Sequence, residues 1–219
     1  MHSATIRKLW MACTGLFLCV FLVIHLLGNL QLLLPAIKAR EQFNAYSRFL
    51  SHNILIKVIE IVLFISILAH ILYAILLTRA SRRANGARYR YDRRGAASQP
   101  YSRNMGLLGT VILLFLIIHL RDFWYHYKFS ELPSDARGNT DLYSIVVAAY
   151  QQWWYVLVYV VCVLALGFHL LHGFFSAART LGVYHPRYVR LVKITGWAYT
   201  AIMTVGFAWI PIYIHLSTT

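Results

Sequence analysis

The sequence predicts an all-α fold, an integral membrane bundle of five transmembrane helices forming a single domain over residues 1–219. Three observations carry this. Hydrophobic residues make up 59% of the chain and charged residues 13%, with a mean hydropathy of +0.58. A water-soluble domain of this length needs more charge to cover its surface, so a bilayer is the matching solvent. The apolar residues fall into five runs, each long enough to cross a hydrocarbon core of about 30 Å. The basic residues gather in short segments between those runs, which is the pattern of membrane topology. The net charge of +14 therefore does not point to a nucleic-acid partner.

The runs cover 10–34, 53–78, 104–127, 146–178 and 191–215. In lipid, a helix is the open-ended backbone form that satisfies its own polar groups. The first run is too long for a signal-peptide core and is expected to be a retained span. The fourth exceeds what a crossing needs, so part of it is expected to tilt or to lie beyond the membrane. No segment reads as a strand, and the 5 prolines leave the helices mostly uninterrupted. Cys13, Cys19 and Cys162 lie within apolar runs without CxxC spacing, as buried small hydrophobes do.

Loop charge sets the direction. Segment 79–103 carries Arg79, Arg82, Arg83, Arg88, Arg90, Arg93, Arg94 and Arg103 against Asp92, and 179–193 adds Arg179, Arg187, Arg190 and Lys193. The N-terminus contributes Arg7 and Lys8. Loops 35–52 and 128–145 have fewer bases, offset by Glu41, Glu131, Asp135 and Asp141. The positive-inside rule then puts the N-terminus and both basic loops in the cytoplasm and the C-terminus outside. The expected setting is a bacterial-type cytoplasmic membrane. Lipid headgroups and an acidic cytoplasmic partner would each suit the arginine-rich loop.

Of the 10 histidines, His25, His70, His119 and His169 lie deep in four successive spans. Ionisable groups there are expensive, and four of them outweigh the ordinary helix-bonding histidine. His25 lies 17 residues past Lys8 and His119 lies 16 past Arg103. At about 1.5 Å per residue, both sit roughly 24–26 Å from the cytoplasmic boundary. His70 and His169 lie 9 and 10 residues before Arg79 and Arg179. The same rise places them about 13–15 Å from that boundary. The four thus form two levels of two.

Two neutral imidazoles per level suit the axial positions of a haem iron, whereas zinc would require three or four protein ligands. A proton relay would include carboxylates, and only Glu60 lies deep in a span. His172, one turn after His169, competes with it; His169 matches the level of His70 better. Gly28, Ala69, Gly167 and Gly173 neighbour the histidines and would make room for a macrocycle, although ordinary helix packing uses the same residues. Gly15 and Gly106 are more equivocal. His2, His52, His126, His185 and His215 read as interfacial or solvated, while His126 shares a face with His119 and could approach a substrate.

"HLLGN" (25–29), "LAHIL" (68–72), "IIHLRDF" (117–123) and "FHLLHGFFSAARTLG" (168–182), in this order on four spans, resemble a known family. It is the cytochrome b membrane-anchor subunit of succinate dehydrogenases and fumarate reductases (succinate:quinone oxidoreductases and quinol:fumarate reductases), in its single-subunit, five-helix, dihaem form. The similarity covers essentially the whole chain in helix count and histidine order. It implies two haems b, His70 and His169 holding the one nearer the cytoplasm and His25 and His119 the one nearer the outside. It also implies a cytoplasmic flavoprotein subunit and iron–sulfur subunit that handle succinate and fumarate, with no catalysis on succinate by this chain itself. Menaquinone is the favoured quinone, with ubiquinone open. The chain departs from the family pattern at Gly167, where some members carry an acid.

A quinone needs an apolar groove near the outer haem with polar groups for its carbonyls. Asn29, Gln31, Arg121, Asp122, Trp124 and His126 are the candidates, although an aromatic belt at a charged helix end would also explain Trp124. Haem propionates need cations at helix ends, and Arg103 and Arg179 are the first choices. Other readings stay open: the cytochrome b anchor of a formate dehydrogenase, nitrate reductase or hydrogenase, or a haem-free intramembrane transporter.

Overall fold

A computed structural model of the protein describes residues 2–84 and 100–218. Of the arginine-rich segment, Arg88, Arg90, Arg93 and Arg94 lie outside these residues. Among the described residues the chain is helical with no strand, apart from an isolated bridge between Ser134 and Thr140. Helices α1 (His2–Asn29), α2 (Ala36–His52), α3 (Ile54–Ala84), α4 (Met105–Phe129), α5 (Leu142–Tyr150), α6 (Trp153–Thr180) and α7 (Val189–Thr218) follow in order. Five of them, α1, α3, α4, α6 and α7, are long and apolar enough to cross a membrane.

Two segments differ from the sequence expectation. The loop expected over 35–52 contains the helix α2, whose buried residues Ala39, Phe43 and Ser47 recur at i, i+4 and i+8 and give it one docking face. The apolar run 146–178 is not continuous. Gln151 and Gln152 interrupt it, with Gln152 extended at φ −83° and ψ 109°. The part expected to tilt or to lie beyond the membrane is the C-terminal half of the separate helix α5.

Cross-helix contacts show that successive spans run antiparallel. Trp10 meets Tyr73 while Thr14 meets His70; Phe64 meets Trp124 while Glu60 meets Lys128; Phe115 meets Tyr159 while Asp122 meets Tyr155; and Phe174 meets Tyr199 while Gly167 meets Thr204. Helix α6 is central, with 44% of its apolar window buried against 0% for α3. It packs on α1, α4 and α7, and α1 in turn carries α3. By contrast, α1 does not pack along α4, nor α3 along α6. A left-handed residue, Gly182 at φ +74°, ends α6, where Val183 N–H reaches back to the Ala178 carbonyl at 3.0 Å.

The end of the bundle next to α2 and α5 is tied down by a polar cluster. Asp141, 1% exposed, accepts from Arg40, from Asn44 Nδ2 at 2.9 Å and from Ser144 Oγ at 2.6 Å, and it caps α5 by accepting Ser144 N–H. Asn44, also fully buried, accepts the Tyr143 N–H at 2.9 Å. Partial desolvation pushes the Asp141 carboxyl up, but hydrogen bonds from Ser144, Arg40 and Asn44 outweigh it and hold the group below the usual carboxylate value. Asp135 is held down in the same way by the N–H groups of Asn139 and Arg137.

Candidate functional site

The four deep histidines meet in two pairs, and these are the pairs that the rise arithmetic gives. His25 of α1 and His119 of α4 have ring centres 5.8 Å apart, with planes at 88°. His70 of α3 and His169 of α6 have ring centres 6.3 Å apart, with planes at 61°. Each pair therefore joins two helices that do not pack along one another, and each ring is only half-buried. Along α1, Thr14 marks the level of His70 and lies 11 residues before His25. The levels are then about 16 Å apart at 1.5 Å per residue, wider than the boundary depths imply. Charged residues mark a span's edge only to within a turn or two.

The Nδ1 atoms of His70 and His119 have partners, and that of His169 does not. The Thr14 hydroxyl donates to the Trp10 carbonyl at 2.8 Å, so its oxygen is left to accept His70 Nδ1–H at 3.2 Å. That leaves His70 Nε2 unprotonated. His119 Nδ1 lies 3.3 Å from the Tyr159 hydroxyl. His169 Nδ1 is buried and has no hydrogen-bond partner among the described residues. The rings of Phe21 and Phe207 lie 5.3 and 5.6 Å from that of His25. Thus the fifth span, α7, contributes Phe207 to this site.

This donor set fits a haem b iron on two counts. Among the described residues no group of three or more His, Cys, Asp or Glu could hold an ion, so each level offers two imidazoles and no more. Imidazole nitrogens bond first-row metals at roughly 2.0–2.1 Å, and about 1.1 Å more reaches each ring centre. Two axial imidazoles on one metal are then about 6.3 Å apart between ring centres. The 6.3 Å of His70 and His169 equals that spacing, and the 5.8 Å of His25 and His119 falls slightly short of it.

The small residues around the rings differ from those expected. A Cβ on Gly15 would lie 3.3 Å from His70 Cε1, and one on Gly109 would lie 4.0 Å from His169 Cε1. These two glycines adjoin the rings. Gly28 instead admits the Tyr46 ring of α2, and Gly167 admits Thr204 of α7. Both serve helix packing, as close backbone approach between membrane helices requires. Nothing lies within 4 Å of the space beside Gly173 or Gly106.

The quinone candidates do not converge on one point. Asn29 Nδ2 donates to the carbonyl of His25 at 2.8 Å and Gln31 Nε2 to that of Gly28 at 3.1 Å, so both amide NH2 groups bond carbonyls of α1. Asp122 accepts from Arg121 Nε and from the Tyr155 hydroxyl, each at 2.7 Å. Trp124 Nε1 donates to Glu60, which also pairs with Lys128 at 3.1 Å. His126 Nδ1 lies 3.1 Å from Ser130 Oγ. Arg121 and Trp124 do share a shallow groove of about 270 Å³ with Leu120 and Tyr125. Of the propionate candidates, Arg103 and Arg179 are exposed, and the Arg179 guanidinium lies 5.7 Å from the Tyr184 ring centre.

Sequence reasoning missed Thr14, Tyr155, Tyr159 and Phe207. Tyr155 and Tyr159 are one turn apart on α6, a pattern that core tyrosines share, so no local signal ties them to His119. The π-helical turn Leu120–Tyr125, directly after His119, has no sequence signature either. Compared with known proteins, the chain matches no family model, no curated protein and no solved structure.

Proposed function

We propose that this chain is the dihaem cytochrome b membrane anchor of a succinate:quinone oxidoreductase or quinol:fumarate reductase, carrying electrons between a cytoplasmic iron–sulfur subunit and membrane quinone. The observation that supports this reading most is the pair of ring contacts, His25–His119 and His70–His169, each joining two helices that do not pack along one another. When bound, haem b supplies a one-electron carrier at each level. The chain's own part is to hold each pair of imidazoles at a fixed spacing and to exclude water with apolar helix. It also presents Nε2 of His70 as a lone pair by engaging Nδ1 with Thr14.

In this reading the N-terminus and the basic segments face the cytoplasm, where a flavoprotein and an iron–sulfur subunit dock. Menaquinone or ubiquinone binds at the opposite end, with Arg121 and Trp124 lining the groove beside the π turn. A reduced-minus-oxidised spectrum of the purified chain, with identification of copurifying subunits, tests the proposal. Flavin and iron–sulfur partners with succinate or fumarate activity support it; formate, nitrate or hydrogen activity would assign the anchor to another respiratory enzyme.

A further inference from the structure

We infer that Tyr159, Tyr155 and Asp122 form a directional hydrogen-bond chain that fixes the tautomer of His119 and raises the basicity of its Nε2. They would then be the positioning residues that tune the His25–His119 centre. The inference rests on the reading of that pair as axial haem ligands.

The links are Tyr155 OH to Asp122 Oδ2 at 2.7 Å, Tyr155 OH to Tyr159 OH at 3.2 Å, and Tyr159 OH to His119 Nδ1 at 3.3 Å. Proton counting gives the direction. A carboxylate only accepts, so the single Tyr155 proton is given to Asp122. The Tyr155 oxygen must then accept from Tyr159. The Tyr159 oxygen, its proton used, must accept from His119 Nδ1–H. The imidazole proton is thereby fixed on Nδ1 and the lone pair on Nε2.

Packing holds the chain rigid. Tyr155 and Tyr159 are 8% and 4% exposed, with ring centres 4.8 Å apart, and Phe115 lies 4.8 Å from Tyr159. The two tyrosines sit at i and i+4 on α6, hence on one face. The π turn after His119 carries Asp122 and the buried Phe123, whose ring lies 5.4 Å from His119. In a low-dielectric interior such a chain is polarised along its length, and a carboxylate behind a metal-bound histidine makes the ligand more basic. A more basic ligand favours the ferric state. No such arrangement serves the other pair. There His70 Nδ1 meets the neutral Thr14 hydroxyl and His169 Nδ1 has no partner among the described residues.

The test is a redox titration of the full-length haem-loaded protein, following the α band, with the two centres assigned by His25→Ala and His70→Ala. Tyr159→Phe and Asp122→Asn should each keep two haems. Each should shift the reduction equilibrium of the His25–His119 centre upward about tenfold, or about 59 mV for one electron. The other centre should not move, and Asp122→Glu should stay at the wild-type potential. If Tyr159→Phe does not fold, the isosteric Asp122→Asn decides alone. Two haems with unmoved potentials in the variants would overturn the tuning chain and leave the haem reading standing. A wild-type chain with no haem would overturn that reading itself, and the inference with it.

Discussion

His70 and His169 bring their ring centres to 6.3 Å across α3 and α6, which do not pack along each other. Two helices that do not pack along each other gain little from a ring contact by itself, which contributes only about 0.5–1.5 kcal/mol. Replacing either ring should therefore remove one centre and leave the other. His70→Ala and His169→Ala should each lower haem content from two per chain to one, while His172→Ala keeps two. Haem quantified per polypeptide checks this, and loss with His172→Ala but not with His169→Ala would identify His172 as the ligand.

Gly15 leaves no room for a branched side chain beside His70, because its Cβ would already lie 3.3 Å from the ring. Gly15→Val should cost about 1–3 kcal/mol by overpacking and should deplete the His70–His169 centre first. Gly173→Ala, with nothing within 4 Å, should be neutral for both centres. Haem content and thermal unfolding of the two variants, compared side by side, check the contrast.

Asp141 joins α2, the 130–141 segment and α5 through one buried carboxylate. Asp141→Ala leaves Arg40 without its carboxylate, the end of α5 without its cap and the buried Asn44 amide with only the 3.2 Å bond to Asp135, a loss of about 2–4 kcal/mol. The exposed pair Arg137–Glu41, at 2.8 Å, contributes less than about 1 kcal/mol. In thermal unfolding of the detergent-solubilised chain, Asp141→Ala should therefore fall well below Arg137→Ala.

The same carboxylate sets an acid limit. Asp141 is held below its ordinary value of 3.8, so the unfolded chain takes up its proton first as pH falls. The stabilisation is complete above the unfolded value and is lost as pH drops through the lower folded one. Stability should hold from neutral pH down to about 5 and decline below about 4. Asp141→Asn should flatten that decline, as unfolding temperatures measured across the range would show.

The architecture was legible because its signals are local. Apolar run lengths predict the five spans, and charged residues at their edges set the histidine levels well enough to pair His25 with His119 and His70 with His169. What escaped depends on tertiary contact. The amphipathic pattern of α2 was present in Ala39, Phe43 and Ser47, but only the fold shows that Asp141 meets it from 97 residues on at Asn44. Gly28 and Gly167 looked like ring neighbours by spacing. However, the helix faces they occupy turn toward Tyr46 and Thr204. The tyrosines behind His119 lie on another helix, and the π turn that helps place Asp122 depends on backbone hydrogen bonding that residue type does not encode.

Two bis-histidine haems b in this bundle would show in a dithionite-reduced minus oxidised spectrum of the purified chain. The expected result is a low-spin b-type signal with a sharp α band, at two haems per polypeptide, half of it lost in His25→Ala and the other half in His70→Ala. A purified, folded chain with no α band, or one whose signal survives both substitutions together, would contradict it.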